Sequence, residues 1–299
     1  MSVDLSRFGF GLDDVKFPQI EKREVYIMDR NGQPVLAEDY YAVVNQNSDY
    51  VYDVVTDRYE IVRHEEVVDA VKKALANYEI QPTWFDIRLS GKQGARMFVK
   101  VLWHETTVNG DELQLGMLVT NSYDRSTGIG AGGFGLRIAC QNQMVFGREI
   151  AFEYTLHTKN VHERLTEMMP NILEKLDGIV NVVELAMSDM VTLREVAELI
   201  QKLYIGKKRT ERLLQSIGWY IDRETADLLR RELEALEKAD KEEKLARLAA
   251  LEDYDAPRWD MYNAFTETFT HHAGRVDEYT TYYWQKKTSN ELIAPVIKA

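Results

Sequence analysis

One cysteine, Cys140, stands alone among 299 residues, which excludes an internal disulfide and leaves a zinc site without its usual thiolates. A solitary thiol of this kind is expected to be buried and reduced. No run approaches the roughly 18 apolar residues that span a bilayer, and no basic region followed by an apolar stretch opens the chain. The expectation is a cytoplasmic protein that does not use the membrane. Cations are outnumbered, 37 Lys and Arg against 49 Asp and Glu, for a formal net charge of -12. That balance excludes a surface given over entirely to clamping a polyanion, but it permits a local basic groove.

Signatures of chemistry are scarce as well. His157 and His162 are five apart, off a common helical face, and the adjacent His271 and His272 point apart in any regular structure. No Walker loop is present, no serine or cysteine sits in a nucleophile elbow, and no pair among the many carboxylates stands out. The expectation is a non-enzymatic protein with no metal and no cofactor.

The pattern that is present divides at about residue 155. In the first part, "REVYIM" and "YYAVVNQ" flank the turn signal "DRNGQP", and "DYVYDVVTDRYEIV" alternates like a strand. "HEEVVDAVKKALANY" then repeats Val67, Val68, Val71, Ala74 and Leu75 at helical spacing. "TWFDIRLS", "ARMFVKVLWHETT" and "ELQLGMLVTNSYD" alternate around the turns "GKQG" and "VNGD", a three-stranded meander. Residues 156–299 read as mainly helical. An apolar stripe runs from Leu165 to Val183, and Thr192 with Glu195 makes a capping box. "DRETADLLRRELEALEKADKEEKLARLAALEDY" reads as a solvated helix or helical hairpin. The fold class is therefore α+β: a mixed domain over 1–155 with a helix and an antiparallel β-meander, then a helical region that shares its core or stands apart.

Gly128, Gly130 and Gly133 have the Gly-x-Gly-x-x-Gly spacing of a dinucleotide loop, but the helix and the distant acidic residue that such a loop requires are missing. Two roles stay open for "GIGAGGFG": a tight loop packed under another element, or backbone laid against a phosphate. Asn121, Arg125, Arg137, Gln141, Asn142 and Arg148 crowd polar and cationic groups around it. A second cationic set, Arg88, Lys92, Arg96 and Lys100, surrounds the "GKQG" turn with Trp84, Phe85 and Phe98 interleaved. The two-residue period puts Arg96, Phe98 and Lys100 on one face and Met97, Val99 and Val101 on the other. That face reads either as a solvated outer surface or as a basic, aromatic track for single-stranded nucleic acid. Lys207, Lys208, Arg209 and Arg212 form a further cluster that suits plain helix surface. Asn263, Glu267, His271 and Arg275, four apart, suit either a polar face docked on the first part or a catalytic one.

Three blocks in order, "VVTDRYEIVRHEEVVDAVKKAL", "TNSYDRSTGIGAGGFGLRIACQNQMVFG" and "WDMYNAFTETFTHH", resemble the DUF932 family of phage- and plasmid-borne proteins. The resemblance implies a phage or mobile-element setting more than an activity. The order of helix, β-meander and helical tail also resembles the core of the Rad52/Erf/Redβ-like single-strand annealing proteins. That likeness implies a homo-oligomer that binds single-stranded DNA through Arg88, Lys92, Arg96, Lys100, Arg125, Gly130, Gly133, Arg137, Asn142 and Arg148 and promotes annealing in recombination. The alternative, which the acidity and the long helices suit better, is a protein-interaction factor that sequesters a host protein.

Overall fold

Strands form where the sequence alternates, and turns form where it offers a left-handed residue. The computed structural model describes residues 15–147, 152–155, 157, 161–272, 274 and 276–297. β1 (Ile20–Met28), β2 (Pro34–Asn45) and β3 (Val51–Thr56) make an antiparallel sheet in the order β1-β2-β3. The Asp29 carboxylate closes the first turn by accepting from the backbone N–H of Asn31 and of Gln33, each at 2.8 Å, while Gly32 takes φ +76°. β3 pairs with β2 only over Tyr40–Val44. Beyond it β1 and β2 continue as a two-stranded ribbon, with Tyr26 opposite Leu36 and Ile27 opposite Val35.

α1 (His64–Asn77) buries the five apolar residues that set its period, and Glu66 caps it by accepting from the Arg63 N–H at 2.6 Å. The expected meander follows as β4 (Trp84–Ser90), β5 (Arg96–Val108) and β6 (Asp111–Ser122). It grows to six strands. The glycine run is not a loop but β7 (Ile129–Arg137), and its far edge is shared by β8 (Asn142–Val145) and β9 (Phe152–Thr155). A Cβ at Gly133 would collide with Ile179 Cδ1, so the missing side chain lets a helix lie close on the strand.

That helix is α2 (Val161–Ser188). After it come β10 (Met190–Thr192), α3 (Leu193–Leu203), α4 (Lys207–Ile217), α5 (Arg223–Leu236) and α6 (Lys241–Ala249). β11 (Asp255–Pro257), α7 (Arg258–His271) and α8 (Glu278–Thr288) complete the regular elements, before a π turn over Ser289–Ile293 and a 3-10 turn over Ala294–Ile297. The Thr192–Glu195 box caps α3, and the charged leucine-periodic stretch folds into α5 and α6, opened by Asp222 and Asp240.

α1 and α2 cover one face of the six-stranded sheet, where Met97, Val99, Val101, Met117 and Val119 join Ile172, Ile179 and Val183. α8 covers the other, where Phe98, Leu102, Leu118, Phe134 and Val145 meet Tyr282. One apolar cluster runs from Val62 to Val296, so residues before and after 155 are cemented together. Arg258 staples the C-terminal part: its guanidinium donates to Asp189 Oδ2 at 2.6 Å, Met190 O at 2.8 Å and Leu292 O at 3.2 Å. The fold is α+β. Among the described residues no helix is long and apolar enough to cross a membrane.

Candidate functional site

The faces of β5 fall as the two-residue period predicts: Arg96, Phe98 and Lys100 point one way, Met97, Val99 and Val101 the other. What lies over the first face is the correction. It is not open to solvent, because α8 of the same chain is seated on it. Arg96 donates to Asp124 Oδ2 at 2.9 Å and to Asp277 Oδ2 at 3.3 Å, with its guanidinium 4.5 Å from the centre of the Tyr279 ring. Lys100, its side chain only 7% exposed, is ion-paired to Glu278 and donates to Gln143 Oε1 at 2.9 Å. Phe98 packs on Tyr282 with ring centres 5.6 Å apart. Asp277, which caps α8, and Glu278, Tyr279 and Tyr282 within it therefore cover this face.

The remaining members of the predicted set scatter. Arg88 is exposed and paired with Asp86 at 2.8 Å. Lys92, in the β4–β5 turn, is exposed; its carbonyl accepts from the Ala95 N–H at 3.1 Å, while its side chain makes no hydrogen bond or ion pair among the described residues. Arg125 holds φ +53° in the β6–β7 turn and is ion-paired to Asp53 of β3. Arg137, at the opposite end of β7, donates to Asp111 Oδ1 at 3.0 Å. Gly130 and Gly133 are buried within β7, where their backbone serves the sheet and is closed to a phosphate in solution. Asn142 is fully buried and donates to Asn263 O at 3.4 Å. Arg148 lies outside the described residues.

The three blocks that carry the family resemblance meet in space. Asp111 receives Arg137 on one oxygen and the Trp259 indole N–H, at 2.8 Å, on the other. Asn142 reaches Asn263, the Gln143 N–H donates to Thr270 Oγ1 at 3.0 Å, and His271 Nε2 lies 2.9 Å from Cys140 O. Asn263 and His271 thus dock on the β7–β8 hairpin, while Arg275 lies outside the described residues. Cys140 is half-buried in that hairpin, which corrects the expectation of a buried thiol. The first two blocks join at His64, whose Nδ1 lies 3.0 Å from Asn121 Nδ2 and whose Nε2 lies 3.0 Å from Gly94 O. The His64 ring stacks on Tyr123 at 4.1 Å, and the Tyr123 hydroxyl accepts from the His64 N–H at 2.8 Å. Close by, Tyr59 stacks on His157 at 5.0 Å.

Burial is what disfavours protonation there. It pushes His64 down to about 3, against a hydrogen bond to Gly94 that works the other way, and it pushes His157 down to about 4. The same burial raises the Tyr59 and Tyr123 hydroxyls far above the usual phenol range. Neutral imidazoles held by ring stacking and backbone carbonyls, beneath the junction of the two sheets, form a structural polar network. Among the described residues no three His, Cys, Asp or Glu are gathered to hold a metal.

Two features escaped the sequence pattern. A cavity of about 640 Å³ lies among α3, α4, α5 and α6, with Ile205, Leu214 and Leu233 buried in its wall and Lys207, Arg230 and Glu234 at its rim. The second is the β1–β2 ribbon, where Tyr26 is 58%, Ile27 57% and Met28 73% exposed, with Val35 and Leu36 also open. Apolar alternation was the available signal, but it describes a half-buried strand equally well.

Residues 51–291 match a family model described as "Domain of unknown function (DUF932)", which leaves β1, β2 and the ribbon outside the matched span. No curated protein and no solved structure matches the chain.

Proposed function

We propose, for a chain that belongs to the DUF932 family, a protein-binding function exercised through the β1–β2 ribbon. One observation carries this reading: five large apolar side chains stand in solvent on a ribbon that has no third strand and no covering layer among the described residues. A two-stranded ribbon is marginal by itself, and an apolar patch of this kind on an acidic protein marks an interaction surface. The setting that suits it is a phage or mobile-element factor whose partner is a protein. The test is a comparison of the chain with a Met28→Lys/Leu36→Lys variant in nuclease-treated lysate of the expressing cell. A stoichiometric protein complex, protected from hydrogen exchange at Tyr26–Leu36 and lost in the variant, is the expected result. Retention of every partner by the variant overturns the reading.

Single-stranded DNA binding and annealing form the second reading, and a particular observation favours it. Asp277 and Glu278, beside Tyr279 and Tyr282, lie on Arg96 and Lys100 as a strand's phosphates and bases would, and Arg88 and Lys92 are exposed nearby. It requires α8 to leave its seat. Salt-sensitive binding of an oligonucleotide that weakens in Arg88→Ala and Lys92→Ala variants supports this reading, and no binding at low salt with excess protein removes it.

A further inference from the structure

β5 carries one residue more than β6 can pair. Leu102 lies opposite Gly116 and His104 opposite Leu115, so Trp103 is left over as a β-bulge. The surplus residue inverts the two-residue period: before it Val99 and Val101 face α1 and α2, after it Val108 does, while Leu113, Leu115, Met117 and Val119 of β6 keep to that face without interruption. Trp103 packs on the same cluster, so two consecutive side chains, Trp103 and His104, reach one side of the strand. Gly116 makes room for the irregularity, since an added Cβ there would meet the Val101 carbonyl.

The bulge opens onto a cavity of about 340 Å³, walled by Tyr78 at the end of α1, by Trp103, His104 and Leu115 of the sheet, and by Leu173 and Glu174 of α2. That is room for one small ligand or one long side chain. Among the described residues Glu174 is the one carboxylate of this wall, it makes no ion pair, and no Lys or Arg joins it there. An anion is therefore opposed and a cation favoured, as it is by the formal net charge of -12.

The rest of the wall selects among cations. A primary ammonium is compact and strongly hydrated, and one carboxylate among aromatic and aliphatic side chains replaces little of its water. A guanidinium brings a rigid fork of donors, more than Glu174 can meet. Alkyl groups on the nitrogen remove the donors and supply apolar surface for Trp103, Tyr78, Leu115 and Leu173 to cover, while the charge is kept for Glu174 and the rings. We infer that this cavity binds an alkylated ammonium group, carried by a small molecule or by a modified lysine. The site lies apart from the β1–β2 ribbon and stands or falls independently of it.

Titration of the full chain with choline tests this, read by calorimetry for affinity and by fluorine NMR of the fluorotryptophan-labelled chain for place, with the Trp103 signal assigned through Trp103→Phe. The Trp103 signal is expected to move saturably with choline. Ethanolamine, methylguanidine and the neutral carbon isostere of choline, in which a tert-butyl group replaces the trimethylammonium, are each expected to bind at least tenfold more weakly. Trp103→Ala should abolish binding, Trp103→Phe should restore part of it, and Glu174→Gln, at an exposed position, should weaken it at least threefold; helicity and urea midpoint verify that each variant folds. A peptide bearing trimethyllysine is titrated beside choline, and the tighter of the two names the source of the group. A Trp103 signal unmoved by millimolar choline overturns the proposal. So does any of the three control compounds binding as tightly as choline, or a folded Glu174→Gln variant that binds choline as the wild type does.

Discussion

The three-stranded and six-stranded sheets apply the same alternating code to opposite ends. In the six-stranded sheet both faces are covered, one by α1 and α2 and one by α8, and even its cations are taken up by carboxylates of the same chain. In the three-stranded sheet the code runs past the end of β3 into a ribbon with nothing over it among the described residues. Alternation specifies that a strand has two unlike faces. Which face meets water is decided by elements that arrive later in the chain.

The sharpest way to break this contrast is to crowd the covered sheet. A Cβ at Gly116 would overlap the Val101 carbonyl, so Gly116→Val forces the β5–β6 pairing apart. The expected loss is about 3 kcal/mol or more in urea unfolding. Acid loosens the junction between the sheets. His64 and His157 stay neutral in the fold but take protons at about 6.5 once unfolded, so their contribution is complete above that pH and is lost as pH falls toward 4 and then 3. By pH 5 each costs about 2 kcal/mol of stability, and a His157→Phe variant is expected to show a shallower decline between pH 6.5 and 5. Lys100→Ala leaves Glu278 without its partner beneath α8 and is expected to cost about 1–2 kcal/mol. Arg88→Ala, an exposed pair on the same face, should fall within about 0.5 kcal/mol by the same measurement. Met28→Lys at the ribbon tip is the smallest, within about 0.5 kcal/mol of wild type for the isolated chain.

Much of the architecture was legible because it is local. The α1 stripe, the Thr192–Glu195 cap and the facing of Arg96 against Met97 all follow from neighbours within a turn or a pleat. β7 was not legible as a strand, since glycine has no side chain with which to display a period, and its reason for being glycine is Ile179, far along the chain. The covered basic face was half legible: the residues and their common direction could be read, but Asp277 and Glu278, which bring the cover onto Arg96 and Lys100, are 181 and 178 positions away. The His64 network needed the fold as well, because a histidine opening a helix gives no sign that Asn121 and Tyr123 close over it.

The position of α8 also bears on time. Phe98, Leu118 and Phe134 are synthesised long before Tyr282, so on the ribosome one side of the central sheet lacks this cover until α8 has emerged. Folding of this half is then late and dominated by long-range closure, a slow class of search that leaves an aggregation-prone surface in the interval. Nascent chains stopped before Glu278 should therefore engage holding chaperones, and release should coincide with arrival of α8 rather than with completion of the strands.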